Sequence, residues 1–511
     1  MIGGEMPAFV EDDPAAGGAL FAYLVDQLPA GGQVLIAGPH DDALVDAVAA
    51  RSSVTCLVRS QPKANELDAR GVEVLCGTLS KITDVERYDV VVALDGLGRL
   101  CSAEGPQYDW AESLQALKKA LRPGGTLLLA VENELGVHRL VDLASATSAQ
   151  GDGAWLPLGE FDTKPGNPTR LAGGLAAEGL AVDWLATAWP SPAAPTLIAT
   201  PNALQDGPVD ALAAVTAGAV GKAYADRAVL SDPRRLAAAA VRGGLGSEFA
   251  AAWLVVAHRA PRPASTVSLP SVLLGDGPVI EIAPGLDGDW QRRVIRQAPG
   301  RDLSTLNGPL PAGRLLEELL LGAALRHDLP MLRRLLSGWI AALPEATPDN
   351  VVVHQDSPSE DVYRLLDPTL PAQTDVLRRF AQTLLGGGYA HPWPAATDLQ
   401  TLTSILHGAA GLPDTVPAVE PGDEPPLPDS RREHEEQLRA LRRQLADAAS
   451  RSEWYERELD RREKQLRKRD KELDRARLQI SAFSGTVSYR VAKLGVSVAR
   501  KARNQIRKGL S

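Results

Sequence analysis

The chain has 511 residues, 44% of them hydrophobic, and a formal net charge of −10 from 54 Lys+Arg and 64 Asp+Glu. At roughly 150 residues per domain this length provides for two to four units, and the apolar content excludes a wholly disordered chain. The average hides an asymmetry: from Arg431 onward 23 basic and 12 acidic residues give +11, so the first 430 residues carry −21. No Lys or Arg precedes Arg51, and no apolar run reaches the roughly 18 residues of a spanning helix. Neither a signal peptide nor a membrane span is expected, which places the protein in the cytoplasm. Cys56, Cys76 and Cys101 form no CxxC pair, so they read as small packed side chains, with no disulfide framework and no metal centre.

From Gly32 to Val131, short apolar runs alternate with helical stretches: VLIAG (34–38), VTCLV (54–58), VEVLC (72–76), DVVVAL (89–94) and TLLLAV (126–131). Runs covered on both faces describe a parallel sheet of βαβ units. Helices are predicted over Asp41–Ala50 and Trp110–Leu121, the second closed by the RPGG turn at 122–125. Two later runs, LAVDWLATAW (180–189) and AAWLVVAHR (251–259), extend the sheet with an antiparallel edge. This α/β domain, a doubly wound and mostly parallel sheet, is expected over 1–263. Residues 264–410 carry helical periods in LLEELLLGAALRHDL (315–329), MLRRLLSGWIAAL (331–343) and VLRRFAQTLL (376–385), with a short hairpin at 350–367, and read as a mainly helical accessory domain. Six prolines and five acidic residues make 411–430 a linker.

Leu438, Leu445, Leu459, Leu466, Leu473 and Ile480 fall on one seven-residue series, broken at Ser452, so 431–483 is expected to be a coiled coil that forms a homodimer through 438–480. A single long solvated helix is the alternative. The final segment, 484–511, has seven basic residues and no acidic one. Its apolar Val487, Val491, Leu494, Val498, Ala502, Ile506 and Leu510 recur every three or four residues. Such a helix suits an anionic membrane surface at the inner face of the plasma membrane, or is a solvated basic end. Phe483 and Tyr489 offer too few stacking faces to favour nucleic acid.

The order VLIAG, YDVVVALDGLGRL (88–100) and ALKKALRPGGTLLLAVENELGVHRLVD (116–142) resembles the class I S-adenosylmethionine-dependent methyltransferases over about the first 260 residues. LRPGGTLLLAVEN is the most specific part. ENELGVHRLVD, ATPDNVVV (346–353), LLGGGYAHPWP (384–394) and SGTVSYRVAKLG (484–495) look similar to proteins that accompany glycosyltransferases in bacterial surface-polysaccharide clusters. The resemblance implies S-adenosylmethionine as cofactor and a sugar or glycan intermediate as acceptor. Gly38, Pro39, His40, Arg59, Thr78 and Asp95 stand where cofactor contacts are expected, Arg59 and Asp95 as substitutes for the usual groups. Glu132 and Asn133, after the fifth strand, are candidate acceptor contacts, with a loop that caps the following helix as the alternative. His138 and Asp95 are the candidate catalytic groups, His138 because imidazole is the usual base near neutral pH.

The sequence also departs from that family. Ile36 stands where an acidic residue is usual in the first strand, Val58-Arg59 where a carboxylate grips the ribose hydroxyls, and Thr78 where an Asp lies near adenine. A catalytically silent scaffold that recruits glycan-assembly partners through its coil and basic tail is the alternative. Asn350 and Asp367 also bear a faint likeness to the metal-binding pair of kinase-type phosphotransferases, against the plainer reading of a hairpin.

Overall fold

The computed structural model describes residues 2–3, 14–101, 106, 108–142, 163–225, 227, 229, 231–259, 269–286, 288–298, 300, 302–357, 360–387, 389–393, 396, 398–413, 431–485 and 487–508. They fall into two units, Met1–Pro428 and Asp429–Ser511. Residues 414–430 of the expected linker, and Leu510 of the tail, lie outside the described residues.

The apolar runs of the amino-terminal part become strands because their alternate side chains enter two separate cores. After β1 (Ile2–Gly3) and α1 (Ala19–Asp26) come β2 (Gln33–Ala37), α2 (Asp42–Ala49), β3 (Ser53–Val58), α3 (Gln61–Ala69), β4 (Glu73–Cys76), β5 (Tyr88–Ala93), α4 (Trp110–Ala120) and β6 (Leu121–Glu132). Parallel pairing orders the strands β1-β4-β3-β2-β5-β6. Ile36 and Val92 pack with Leu20 and Leu24 of α1, whereas their neighbours Leu35 and Val91 pack with Leu114 and Leu117 of α4. Asp41 starts α2 by accepting the Leu44 N–H, and Asp109 with Glu112 forms a capping box on α4. RPGG, expected to be a helix-ending turn, lies inside β6: pairing skips from Tyr88–Leu121 to Val90–Thr126, and Gly124 holds φ +72°.

Then follow α5 (Val137–Val141), α6 (Pro168–Ala177), β7 (Leu180–Trp189), β8 (Leu197–Ala199), α7 (Pro201–Asp206), α8 (Val209–Ala223), α9 (Pro233–Arg242), α10 (Gly246–Phe249) and β9 (Ala252–Arg259). β9 pairs antiparallel with both β6 and β7, as the two late runs indicate. The sheet does not end near residue 263. β10 (Val272–Gly275) pairs with β8, and β11 (Val279–Pro284), β12 (Trp290–Arg296) and β13 (Gly308–Pro309) complete thirteen strands. The expectation of a mainly helical 264–410 missed them because β10 and β13 are short and WQRRVIR in β12 sets arginines where a period-two apolar signal would stand.

The helical part of that segment packs as a separate core. β14 (Arg314–Leu315), α11 (Leu316–Leu325), α12 (Leu329–Ala342), the hairpin β15 (Val351–Ser357) and β16 (Glu360–Leu365), α13 (Val376–Gly386) and α14 (Leu399–Ala410) gather around Leu320, Leu336, Trp339, Phe380 and Leu406.

The second unit is helical: α15 (Arg431–Gly485) and α16 (Val487–Lys508). Leu459, Leu466, Leu473 and Ile480 of the seven-residue series are each more than half exposed. Among the described residues no helix is long and apolar enough to cross a membrane, and no group of His, Cys, Asp and Glu is arranged to hold a metal ion.

Candidate functional site

The chain leaves β2 toward β3 on one side, yet β5 lies on the other, so a crevice opens at the carboxyl ends of β2 and β5. Gly38 turns the chain there at φ +94°, a conformation that favours glycine, and a Cβ on it would fall 3.3 Å from the Asp95 side chain. The structure thus brings Gly38, Pro39, His40 and Asp95 together. Arg59 and Thr78 follow β3 and β4, further along the same edge of the sheet.

Most polar groups around this crevice are engaged within the chain. His40 is 3% exposed; its Nδ1 lies 3.0 Å from the Gly38 carbonyl and its Nε2 3.2 Å from the Leu94 amide. A carbonyl can only accept and an amide only donate, so the ring is the neutral tautomer with its proton on Nδ1. Burial holds its pKa down at about 4, with Arg99 adding to that effect and the Gly38 hydrogen bond and Asp41 opposing it. His40, expected among the cofactor contacts, has its side chain engaged as a clasp between the β2 turn and the end of β5. Asp95, with its side chain 5% exposed, forms an ion pair with Arg99 that includes an Nε to Oδ2 bond of 2.7 Å. Arg99 also donates to the Pro14 carbonyl at 2.8 Å. Arg59 is buried and donates to the Cys101 carbonyl at 2.9 Å, and the buried Thr78 hydroxyl lies 2.9 Å from that of Ser80. Across the turn runs the segment before α1: Ala16 donates to the Pro39 carbonyl, Asp41 donates to the Ala16 carbonyl, and Gly18 donates to the Asp41 side chain.

A second cluster sits at the end of β6. Glu132 Oε1 receives His138 Nε2 at 2.9 Å and Arg139 at 2.9 and 2.7 Å. Burial pushes the Glu132 carboxyl up, but the His138 hydrogen bond and the charges of Arg139, His138 and Lys164 outweigh it and hold the pKa at about 2. The contacts from His138 and Arg139 converge on Oε1. The His138 ring sits close to Gly136, where a Cβ would stand 2.7 Å from its Nδ1 and Cε1. With Nε2 held by Glu132 and Nδ1 packed on Gly136, Glu132 is better presented than His138. Asn133, expected to bind the acceptor, is 2% exposed and donates to the carbonyls of Glu248 (2.6 Å) and Ala250 (2.8 Å) while accepting the Leu135 N–H. It joins the end of β6 to α10 and the start of β9.

Arg99, Arg139 and Asp41 are the groups that sequence reasoning missed. Arg99 had a signal, an opposite charge four residues after Asp95. Asn350 does meet Asp367, through the latter's backbone: it donates to that carbonyl at 2.9 Å and accepts that N–H at 2.8 Å, closing the base of the hairpin.

No family model and no curated protein matches the sequence. Among solved structures, the chain is similar over 46% of its length to an S-adenosylmethionine-dependent methyltransferase from Mesorhizobium loti, with 14% identity, 96% of that chain covered and a TM-score of 0.27. It is similar over 47% to the 1,6-didemethyltoxoflavin-N1-methyltransferase of Burkholderia thailandensis, at 12% identity, 77% of that chain and TM-score 0.26. A geranyl diphosphate C-methyltransferase from Streptomyces coelicolor A3(2) shows 12% identity over 47% of this chain and 79% of its own, with TM-score 0.29.

An adenosine-bearing cofactor fits this crevice in place and in backbone freedom, through Gly38 and the ends of β2 and β5. It fits less well in side chains, since no carboxylate follows β3 and Arg59 is turned to Cys101.

Proposed function

We propose that the first unit binds S-adenosylmethionine at the ends of β2 and β5 and methylates a hydroxyl of a sugar or glycan intermediate in surface-polysaccharide assembly. The observation that carries this reading is the Gly38 turn, at positive φ beside Asp95, where the strand order reverses. The cofactor supplies an activated methyl group. Gly38 lets backbone approach it, and Asp95, held by Arg99, fixes the facing wall. Glu132 is ionised at neutral pH and offers its carboxylate to an acceptor hydroxyl, while His138 and Arg139 fix its rotamer. Isothermal titration of the full chain with S-adenosylmethionine and S-adenosylhomocysteine tests the reading: micromolar binding is expected, and no heat at millimolar ligand sinks it.

One observation favours a second reading. His40, Thr78 and Asp95 are each engaged by partners within the chain, and Arg59 donates to the Cys101 carbonyl, as in a fold that keeps its sheet without the cofactor. The protein then acts as a scaffold, with α15 pairing two copies and α16 resting on an anionic membrane. In the methyl-transfer reading the same helices hold the enzyme beside its glycan substrate.

A further inference from the structure

Away from the crevice, a cavity of about 370 Å³ opens between α8, strands β10–β12 and the segments 303–310, 349–350 and 366–370. Its volume lies in the range of about 300–1,000 Å³ typical of small-molecule sites. Most of its wall is aliphatic, including Val215, Leu274, Ile280, Ile282, Leu303 and Leu306. One charged group interrupts that wall in the interior. Arg292, 9% exposed, donates to the carbonyls of Leu366 and Pro309. Its Nε is buried and has no hydrogen-bond partner among the described residues, and Glu281 of the neighbouring strand pairs with Arg293 instead. Burial pulls its pKa down, opposed by the charge of Asp367.

The acidic residues on the same wall do not cancel this cation by contact. Asp367 spends Oδ1 on the N–H and hydroxyl of Thr369. Asp276 is exposed and lies 3.8 Å from Lys222, which is also exposed. Asp349 is the third acid on the wall. A buried guanidinium without a contacting counter-ion is costly unless something anionic joins it, and apolar walls around it call for an apolar body.

We infer that this cavity binds an amphiphile with one anionic head, a carboxylate or phosphate, set against Arg292 and an aliphatic body along α8 and β10–β12. The inference is independent of methyl transfer, since none of the crevice residues lines the cavity.

Isothermal titration of the full chain with decanoate, decyl phosphate and decanol tests it. The anions are expected to bind at least tenfold more tightly than decanol; comparing the two identifies the preferred head. Arg292→Met should bring all three within about threefold of one another. Leu306→Trp, which fills the cavity, should abolish binding. Both substitutions leave the basic helix α16 intact, so anion bound there persists in both variants and is subtracted. Equal affinity for decanoate and decanol in the unaltered chain overturns the inference, as does unchanged binding in Leu306→Trp, or no binding of any probe. If Arg292→Met does not fold, the anion preference and Leu306→Trp decide the matter.

Discussion

Replacing His40 by leucine is expected to weaken the fold at neutral pH and to remove a specific part of its pH dependence. The side chain is 3% exposed, and its two nitrogens satisfy the Gly38 carbonyl and the Leu94 amide. Leaving both backbone groups buried and unpaired costs about 2–4 kcal/mol at pH 7.5. In the native protein the imidazole titrates at about 4 against an ordinary 6.5, so the unfolded chain takes up the proton first. The histidine's contribution is therefore complete above about pH 6.5 and is lost as pH falls toward 4. By linkage the loss is about 2 kcal/mol between pH 7.5 and 5, and about 3 kcal/mol once both pKa values are passed. Urea unfolding of His40→Leu and the native chain, followed by tryptophan fluorescence at pH 7.5 and 5, measures the gap between them; comparing the two chains removes every other titrating group. The gap should narrow by about 2 kcal/mol at the lower pH. A gap that stays constant would falsify the clasp, because the ring would then be titrating as it does in the unfolded chain.

Asn133→Ala should lower unfolding free energy by about 2–4 kcal/mol, since it frees two buried carbonyls and an amide, while leaving S-adenosylmethionine titration unchanged. Native stability with turnover lost would instead make Asn133 an acceptor ligand. Gly38→Ala forces a Cβ at φ +94° to within 3.3 Å of Asp95 and should cost about 1–3 kcal/mol in thermal unfolding, with cofactor affinity reduced in the same titration. A chain ending at Phe483 should lose flotation with anionic vesicles, and equal flotation of both chains would remove the tail as an anchor. Leu459→Asp with Leu466→Asp should convert a dimer to a monomer in sedimentation equilibrium; a native chain that is already monomeric at high concentration would end the dimer proposal.

The sequence makes the parallel half of the sheet legible because β2, β3, β5 and β6 are continuous apolar runs, and burial on both faces is what such runs require. β10–β13 are not legible. β10 and β13 are short, β12 carries arginines where apolar residues would alternate, and β10 joins the sheet through β8, more than seventy residues earlier. The site behaves likewise. Gly38 is visible as a turn glycine after a strand, and Asp95 as an acid at the end of another. That His40 turns inward to the backbone of Leu94 is not visible, because the contact spans 54 residues and is made to main chain, whose partners no residue type encodes. Arg292 is hidden for the same reason: the carbonyls that receive it belong to Pro309 and Leu366.

The continuity of the sheet past residue 259 bears on how the protein can be divided. β10 covers the hydrogen-bonding edge of β8, and α1 packs against β10 closely enough that a Cβ on Gly275 would meet Leu20 at 2.6 Å. A chain stopped at 263 leaves β8 with an open row of N–H and C=O groups beside newly bared aliphatic side chains, the arrangement that recruits other chains edge to edge. Expression of such a fragment should give aggregates rather than a smaller domain. The piece to isolate is the whole of Met1–Pro428.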